Sequence, residues 1–131
     1  MELLISIKPA YAHAILTGAK TVELRKRFPT DIKEGTKLLI YSSSPERALI
    51  GECKISKVVK TTIEELWSLT CRDAMISWAK YKEYFDGIKE GCGIYIHSPK
   101  MYEKPISLDK LRKDYDFTPP QSYFYNRDIV V

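Results

Sequence analysis

Apolar and polar positions change rhythm several times along this chain, and each change marks an element. ELLISI, residues 2–7, is a run of aliphatic and β-branched residues that reads as a first strand, stopped by Lys8-Pro9. Pro9 suits a first helical turn. PAYAHAILTG then places Tyr11, Ala14 and Ile15 on one face, with Gly18 as the C-terminal stop. Residues 20–27 alternate, Val22 and Leu24 against Glu23 and Arg25, which is the period of a strand with one face in a core. Turn chemistry follows in Phe28-Pro29-Thr30-Asp31 and in Lys33-Glu34-Gly35. Residues 38–43 are apolar almost throughout and predict a central strand. Residues 48–59 predict a long one, with Gly51 as a bulge or a point of close approach.

The pattern changes again after residue 60. Thr61 or Thr62 ahead of Glu64-Glu65 resembles a capping box and opens a helix holding Leu66 and Trp67. A second helix is expected over 73–85, carrying Met75, Trp78, Ala79, Tyr81, Tyr84 and Phe85, with Gly87 ending it. Residues 92–98 are another strand, 103–115 a short extended piece followed by a turn of helix. The aromatic tail FTPPQSYFYNRD has no clear period. Strands at both ends and a helical insert mid-chain predict an α+β fold, a small closed or partly open β-barrel.

Composition narrows the setting. A chain of 131 residues fits one domain, 1–131, with a core of its own. Lys and Arg number 21 against 17 Asp and Glu, a net charge of +4 that permits a polyanionic partner without requiring one. Cys53, Cys71 and Cys92 are odd in number and widely spaced, with no C-x-x-C pair. Neither a metal site nor a disulfide framework is expected, and a reducing, cytoplasmic setting fits. The N-terminus lacks the pattern of a signal peptide, and no apolar run approaches the roughly 20 residues of a membrane helix.

Candidate chemistry gathers around residues 18–27. On a strand Glu23, Arg25 and Arg27 share a side, about 6.5–7 Å apart in steps of two, so Glu23 and Arg25 can pair or share a ligand. The planar guanidinium suits a phosphate or a base edge, and a carboxylate accepts from an amino group. The plainer reading is a surface ion pair worth at most about 1 kcal/mol. Lys20, just after the Gly18-Ala19 turn, could steer a phosphate or, if desolvated, act as nucleophile or base. No Ser-His-Asp order, HExxH, P-loop or GxGxxG occurs, and His13 and His97 read as structural. Pro119-Pro120 stiffens the segment that presents Gln121 and Ser122. Tyr115, Phe117, Tyr123, Phe124 and Tyr125 could stack on bases or close the floor of a barrel.

Taken in order, SIKPAYAHAILTGAKTVELRKR resembles the N-terminal signature of ASCH domains: a strand, Lys-Pro, a short helix, then G-x-K-x-x-E-x-R. The resemblance continues through YSSSPERALIGECKI and Leu66-Trp67 to the terminal PPQSYFY, and so spans nearly the whole chain. It implies a PUA-like barrel, related to the YTH and EVE domains, that binds RNA or a nucleoside beside the first helix and second strand. Lys8, Lys20, Glu23 and Arg25 occupy the motif positions, Ser43 and Ser44 adjoin them, and Gln121 and Ser122 match the terminal motif. No cofactor, metal or membrane is implied. One branch of the family hydrolyses N4-acetylcytidine with a Lys-x-x-Thr pair and a distant Glu. Here Glu23 stands at the Thr position, Thr21 adjoins Lys20, and only Asp73 lies near the place of the Glu. Other members are ribonucleases, for which Lys20 and Glu23 would be the acid–base pair. Binding module, hydrolase and interaction domain with an unused cleft remain the three readings of this sequence.

Overall fold

The computed structural model describes residues 1–131. Strands β1 (Glu2–Ile7), β2 (Val22–Arg25), β3 (Thr36–Ser42), β4 (Ala48–Thr62), β5 (Glu90–Ser107) and β6 (Tyr123–Asn126) form one sheet in the order β2-β5-β4-β3-β1-β6. Helices α1 (Pro9–Leu16), α2 (Ile63–Thr70), α3 (Trp78–Tyr84) and α4 (Leu108–Tyr115) cover it. β1 runs parallel to β3, and every other pairing is antiparallel. The α+β class is as expected. The ladder, however, ends at β2 on one side and β6 on the other, so backbone pairing leaves the sheet open where a barrel would close it.

Both faces of this sheet are buried along β1, which explains its consecutive apolar residues Leu3, Leu4 and Ile5. Leu3, Ile5 and Ile7 face one core with Leu38 and Ile40 of β3, Ile50 and Ile55 of β4, Ile94 of β5, and Ala12, Ile15 and Leu16 of α1. Leu4 faces the other way, with Leu39, Tyr41 and Leu49, under Leu108 and Leu111 of α4 and Phe117. A third cluster sets Val22 and Leu24 against Leu66, Ala74, Tyr81 and Phe85 of the helical insert. Strands covered on both sides lose the alternation that marks a half-exposed sheet.

Helix starts agree with their capping residues. Thr62, Ser77 and Ser107 each accept from the backbone N–H three residues on, opening α2, α3 and α4. The second helix of the insert begins at Trp78 rather than near 73. Residues 71–77 are turns and irregular chain whose Asp73 carbonyl takes the N–H groups of Thr21 and Val22 instead. β5 is far longer than the strand expected over 92–98, because its polar second half pairs with the first half of β4. The tail contributes a strand that its aromatic composition hid: Tyr123 to Asn126 pair with Glu2 to Ile5.

Candidate functional site

β2 is an edge strand whose two faces meet different surroundings. Val22 and Leu24 enter the cluster under α2 and α3. Glu23 and Arg25 stand opposite Ile94 and Cys92 of β5, both members of the core beneath α1. Residues opposite one another on a ladder point to the same face. The charged side of β2 therefore turns into the curl of the sheet rather than to water, and Glu23 is 6% exposed.

Charges placed there must satisfy one another. Glu23 Oε2 accepts from Arg25 Nε at 3.0 Å and lies 2.8 Å from Arg25 Nη2. Its other oxygen, Oε1, is 3.6 Å from Lys20 Nζ. Lys20 is 3% exposed, donates to the Ala74 carbonyl, and sits 5.0 Å from the centre of the Tyr11 ring. Burial pulls the Lys20 pKa below the ordinary lysine value. The Glu23 carboxylate opposes that shift, and the Arg25 guanidinium adds to it. Two basic side chains thus share one carboxylate in a place largely closed to water.

Arg25 is the member that reaches the surface. Its Nη2 also donates to the Ser6 carbonyl at 2.8 Å, and Nη1 to Ser122 Oγ at 3.4 Å. Ser122 in turn accepts the Ser6 N–H on its carbonyl at 2.9 Å. Edge strand β2 is thus tied to β1 and to the start of β6 by one side chain, across the gap where the ladder is open.

The remaining sequence candidates lie around this gap. Lys8 follows β1, exposed, as the N-cap of α1, and its side chain does not cap the helix. Ser43 follows β3, half-buried, and donates its N–H to the Ile7 carbonyl at 2.9 Å, setting it beside Lys8. Ser44 and Gln121 are exposed, the first in the turn from β3 to β4 and the second just before Ser122. Lys20, Glu23, Arg25 and Ser122 form one connected network, while Lys8, Ser43, Ser44 and Gln121 make a rim without side-chain bonds to it. Arg27, expected beside Arg25, is exposed beyond the end of β2.

Some partners were not visible in the sequence. The Ser6 and Ala74 carbonyls are main-chain groups, which no residue pattern announces. Tyr11 packs against the core as expected of the apolar face of α1, and its ring also lies beside the Lys20 ammonium, a contact the pattern did not announce. His13 is neither idle nor at the centre: Nε2 lies 2.8 Å from Glu46 Oε1, fastening α1 to the β3–β4 turn. Thr21 is exposed, and Glu23 is the i+3 partner of Lys20. Of the tail aromatics, Phe117 and Phe124 join the core under α4, Tyr123 packs on Phe28 at 4.9 Å, and Tyr125 is exposed.

A mixed, open sheet with a buried Lys-Glu-Arg cluster at one edge defines the class, and the chain belongs to the ASCH domain family, whose model matches residues 5–106. It is 34% identical over 127 residues to an ASCH domain-containing ribonuclease of Zymomonas mobilis, covering 96% of this chain and 84% of that one. The crystal structure of ASCH from Zymomonas mobilis superposes with a TM-score of 0.90 at 33% identity, over 96% of this chain and 87% of that chain. The N-terminal domain of Staphylothermus marinus McrB shares the fold alone, with a TM-score of 0.52 at 16% identity, over 86% and 79% of the two chains. No helix is long and apolar enough to cross a membrane.

Proposed function

We propose that this chain binds single-stranded RNA at the gap between β2 and β6, with Arg25 taking a backbone phosphate. The observation that carries the reading is how Arg25 is held. Glu23 fixes Nε and Nη2 from behind, Ser6 takes Nη2 from the side, and only the bond to Ser122, at 3.4 Å, is long. A guanidinium oriented in advance loses little freedom on meeting a phosphate, and Nη1, whose only bond is the long one to Ser122, is the nitrogen left to donate to it. Lys20 and Glu23, buried behind it, serve on this reading to set its orientation and charge. Lys8, Ser43, Ser44 and Gln121 on the rim supply further contacts to sugar and phosphate.

A second reading, that the bound RNA is cut, is favoured by the relative named a ribonuclease, which matches most of both chains. Attack of a ribose 2′-oxygen on the adjacent phosphorus, its proton passing to water, with departure of the 5′-oxygen, which takes a proton from water, builds negative charge on the phosphoryl oxygens. On this reading Arg25 would meet that charge.

Anisotropy titrations with labelled oligouridylate, across a series of salt concentrations and in EDTA, test binding. Affinity is expected to fall steadily with salt. Arg25→Lys, which keeps the charge and loses the fork, is expected to weaken binding about tenfold, and Ser122→Ala less. Salt-independent binding, or an Arg25→Lys protein that binds like the wild type, would refute the assignment. Product analysis of the same mixtures reads cutting directly. Intact RNA after prolonged incubation with saturating protein removes the second reading and leaves the first.

A further inference from the structure

Three cations next to Arg25 have no role in the network just described. Lys26 and Arg27 follow it directly, and Lys60 lies on the same row of the sheet: Arg25 pairs with Cys92 of β5, and Cys92 with Lys60 of β4. Two strand spacings put the Arg25 and Lys60 backbones about 9.5 Å apart. Lys26, Arg27 and Lys60, together with Phe28, Asp31 and Cys92, line a concavity of about 350 Å³.

We propose that this concavity at the β2–β3 turn is a second phosphate subsite, which takes a neighbouring backbone phosphate of the RNA strand whose first phosphate lies on Arg25. The inference rests on the RNA reading above and extends it to the path of the strand.

Charge is the first support. Lys26, Arg27 and Lys60 are all exposed, and none takes part in an ion pair. One carboxylate, Asp31, stands among the lining residues against these three cations. Cations that line one concave place without an acidic partner of their own are a focus for an anion, because a walled site concentrates the field that a flat surface spreads.

Position is the second. Phe28 lines the concavity and packs its ring on Tyr123, the residue after Ser122, with ring centres 4.9 Å apart. The concavity and the Arg25–Ser122 contact are therefore joined by an aromatic pair. Phe28 is itself buried, so the pair fixes the spacing between the two places and is not a platform for bases. Lys26 Nζ lies 5.1 Å from the centre of the Tyr84 ring, which limits the freedom this side chain would lose on binding. An acidic peptide would find the same charge, but nothing links this concavity to such a ligand as Phe28 and Tyr123 link it to Ser122.

The test compares a uridine dinucleotide, which carries one internal phosphate, with a hexauridylate. The proteins are the wild type and the triple variant Lys26→Ala/Arg27→Ala/Lys60→Ala. All three side chains are exposed, so the variant is expected to fold, and its melting transition checks that. For the hexamer the variant is expected to bind at least about tenfold more weakly at low salt, with a shallower dependence of log affinity on log salt. For the dinucleotide it is expected to match the wild type. Asp31→Asn, which removes the opposing carboxylate, should bind the hexamer more tightly than the wild type. Equal hexamer affinity in the triple variant and the wild type, with Arg25→Lys still weakened, would overturn the second subsite and leave the RNA reading standing. Equal loss for both ligands would overturn it too, by making the three cations general attractors. A wild-type protein that binds neither oligomer brings down the RNA reading, and the subsite with it.

Discussion

Cys53 shows how one enclosed side chain makes stability depend on pH. The thiol is 1% exposed on β4, and burial, reinforced by the Glu52 and Glu23 carboxylates, pushes its pKa from 9.0 to about 12. Between those values the unfolded chain has released this proton and the folded chain keeps it. Stability from this group is thus complete below pH 9 and is lost as pH rises through about 12. One proton of difference corresponds to about 1.4 kcal/mol per pH unit. Urea unfolding of Cys53→Ala at several pH values from about 8 to 11 is expected to show a lower stability at neutral pH, from the small cavity, but a shallower alkaline decline. A decline as steep as the wild type's would mean that the thiol is not held protonated. Tyr81, also pushed up to about 12 by burial, keeps the variant's curve from becoming flat.

The pairing of β4 with its neighbours depends on Gly51, where the ladder to β5 shifts register between Leu49 and Gly51. A methyl group there would come within 2.5 Å of the Lys100 carbonyl oxygen and 2.7 Å of both Leu16 δ carbons. The Leu16 side chain can turn aside, but the Lys100 carbonyl is backbone and yields only if β5 shifts. Gly51→Ala is expected to cost about 1–3 kcal/mol in urea unfolding, a loss absent from Gly35→Ala's packing because a side chain at Gly35 meets nothing within 4 Å. At position 35 the cost comes instead from its φ of +88°. Gly51 was legible in the sequence, since a glycine interrupting an apolar strand marks a bulge or a close approach. Other features of the elements were legible for similar local reasons: the strand stops at Lys8-Pro9, and Thr62 caps α2. The second half of β5 was hidden because Pro99, Lys100, Glu103, Lys104 and Pro105 are poor strand formers, and β4 supplies the pairing that their composition does not suggest. The start of α3 was misplaced because the carbonyl of Asp73 serves β2, a partner more than fifty residues away.

At the scale of the whole molecule, alternation at Val22–Arg25 announced a strand with a charged face but not what that face would meet. The partner strand decides it: Glu23 and Arg25 lie opposite Ile94 and Cys92 of β5, which belong to the core beneath α1. The open edges then come together through Arg25, which touches Glu23 on its own strand, Ser6 on β1 and Ser122 ahead of β6. A lysine ammonium has three N–H bonds on a single nitrogen and cannot span acceptors that here meet three different nitrogens of the guanidinium. In Arg25→Lys the Ser6 to Ser122 backbone bond survives, while the tie from β2 is lost. Amide exchange over Tyr123–Asn126 is therefore expected to quicken about tenfold, with Leu38–Ile40 at the sheet centre unchanged. Unchanged exchange in the tail would show that β6 is held by its pairing with β1 alone. Saturating oligouridylate should slow exchange in the tail of the wild type, since a phosphate on Arg25 stiffens the junction between the edges, and should do so less in the lysine variant. Loosening without ligand and weaker protection with it would make the closure of the sheet and the binding of the strand two consequences of the same guanidinium.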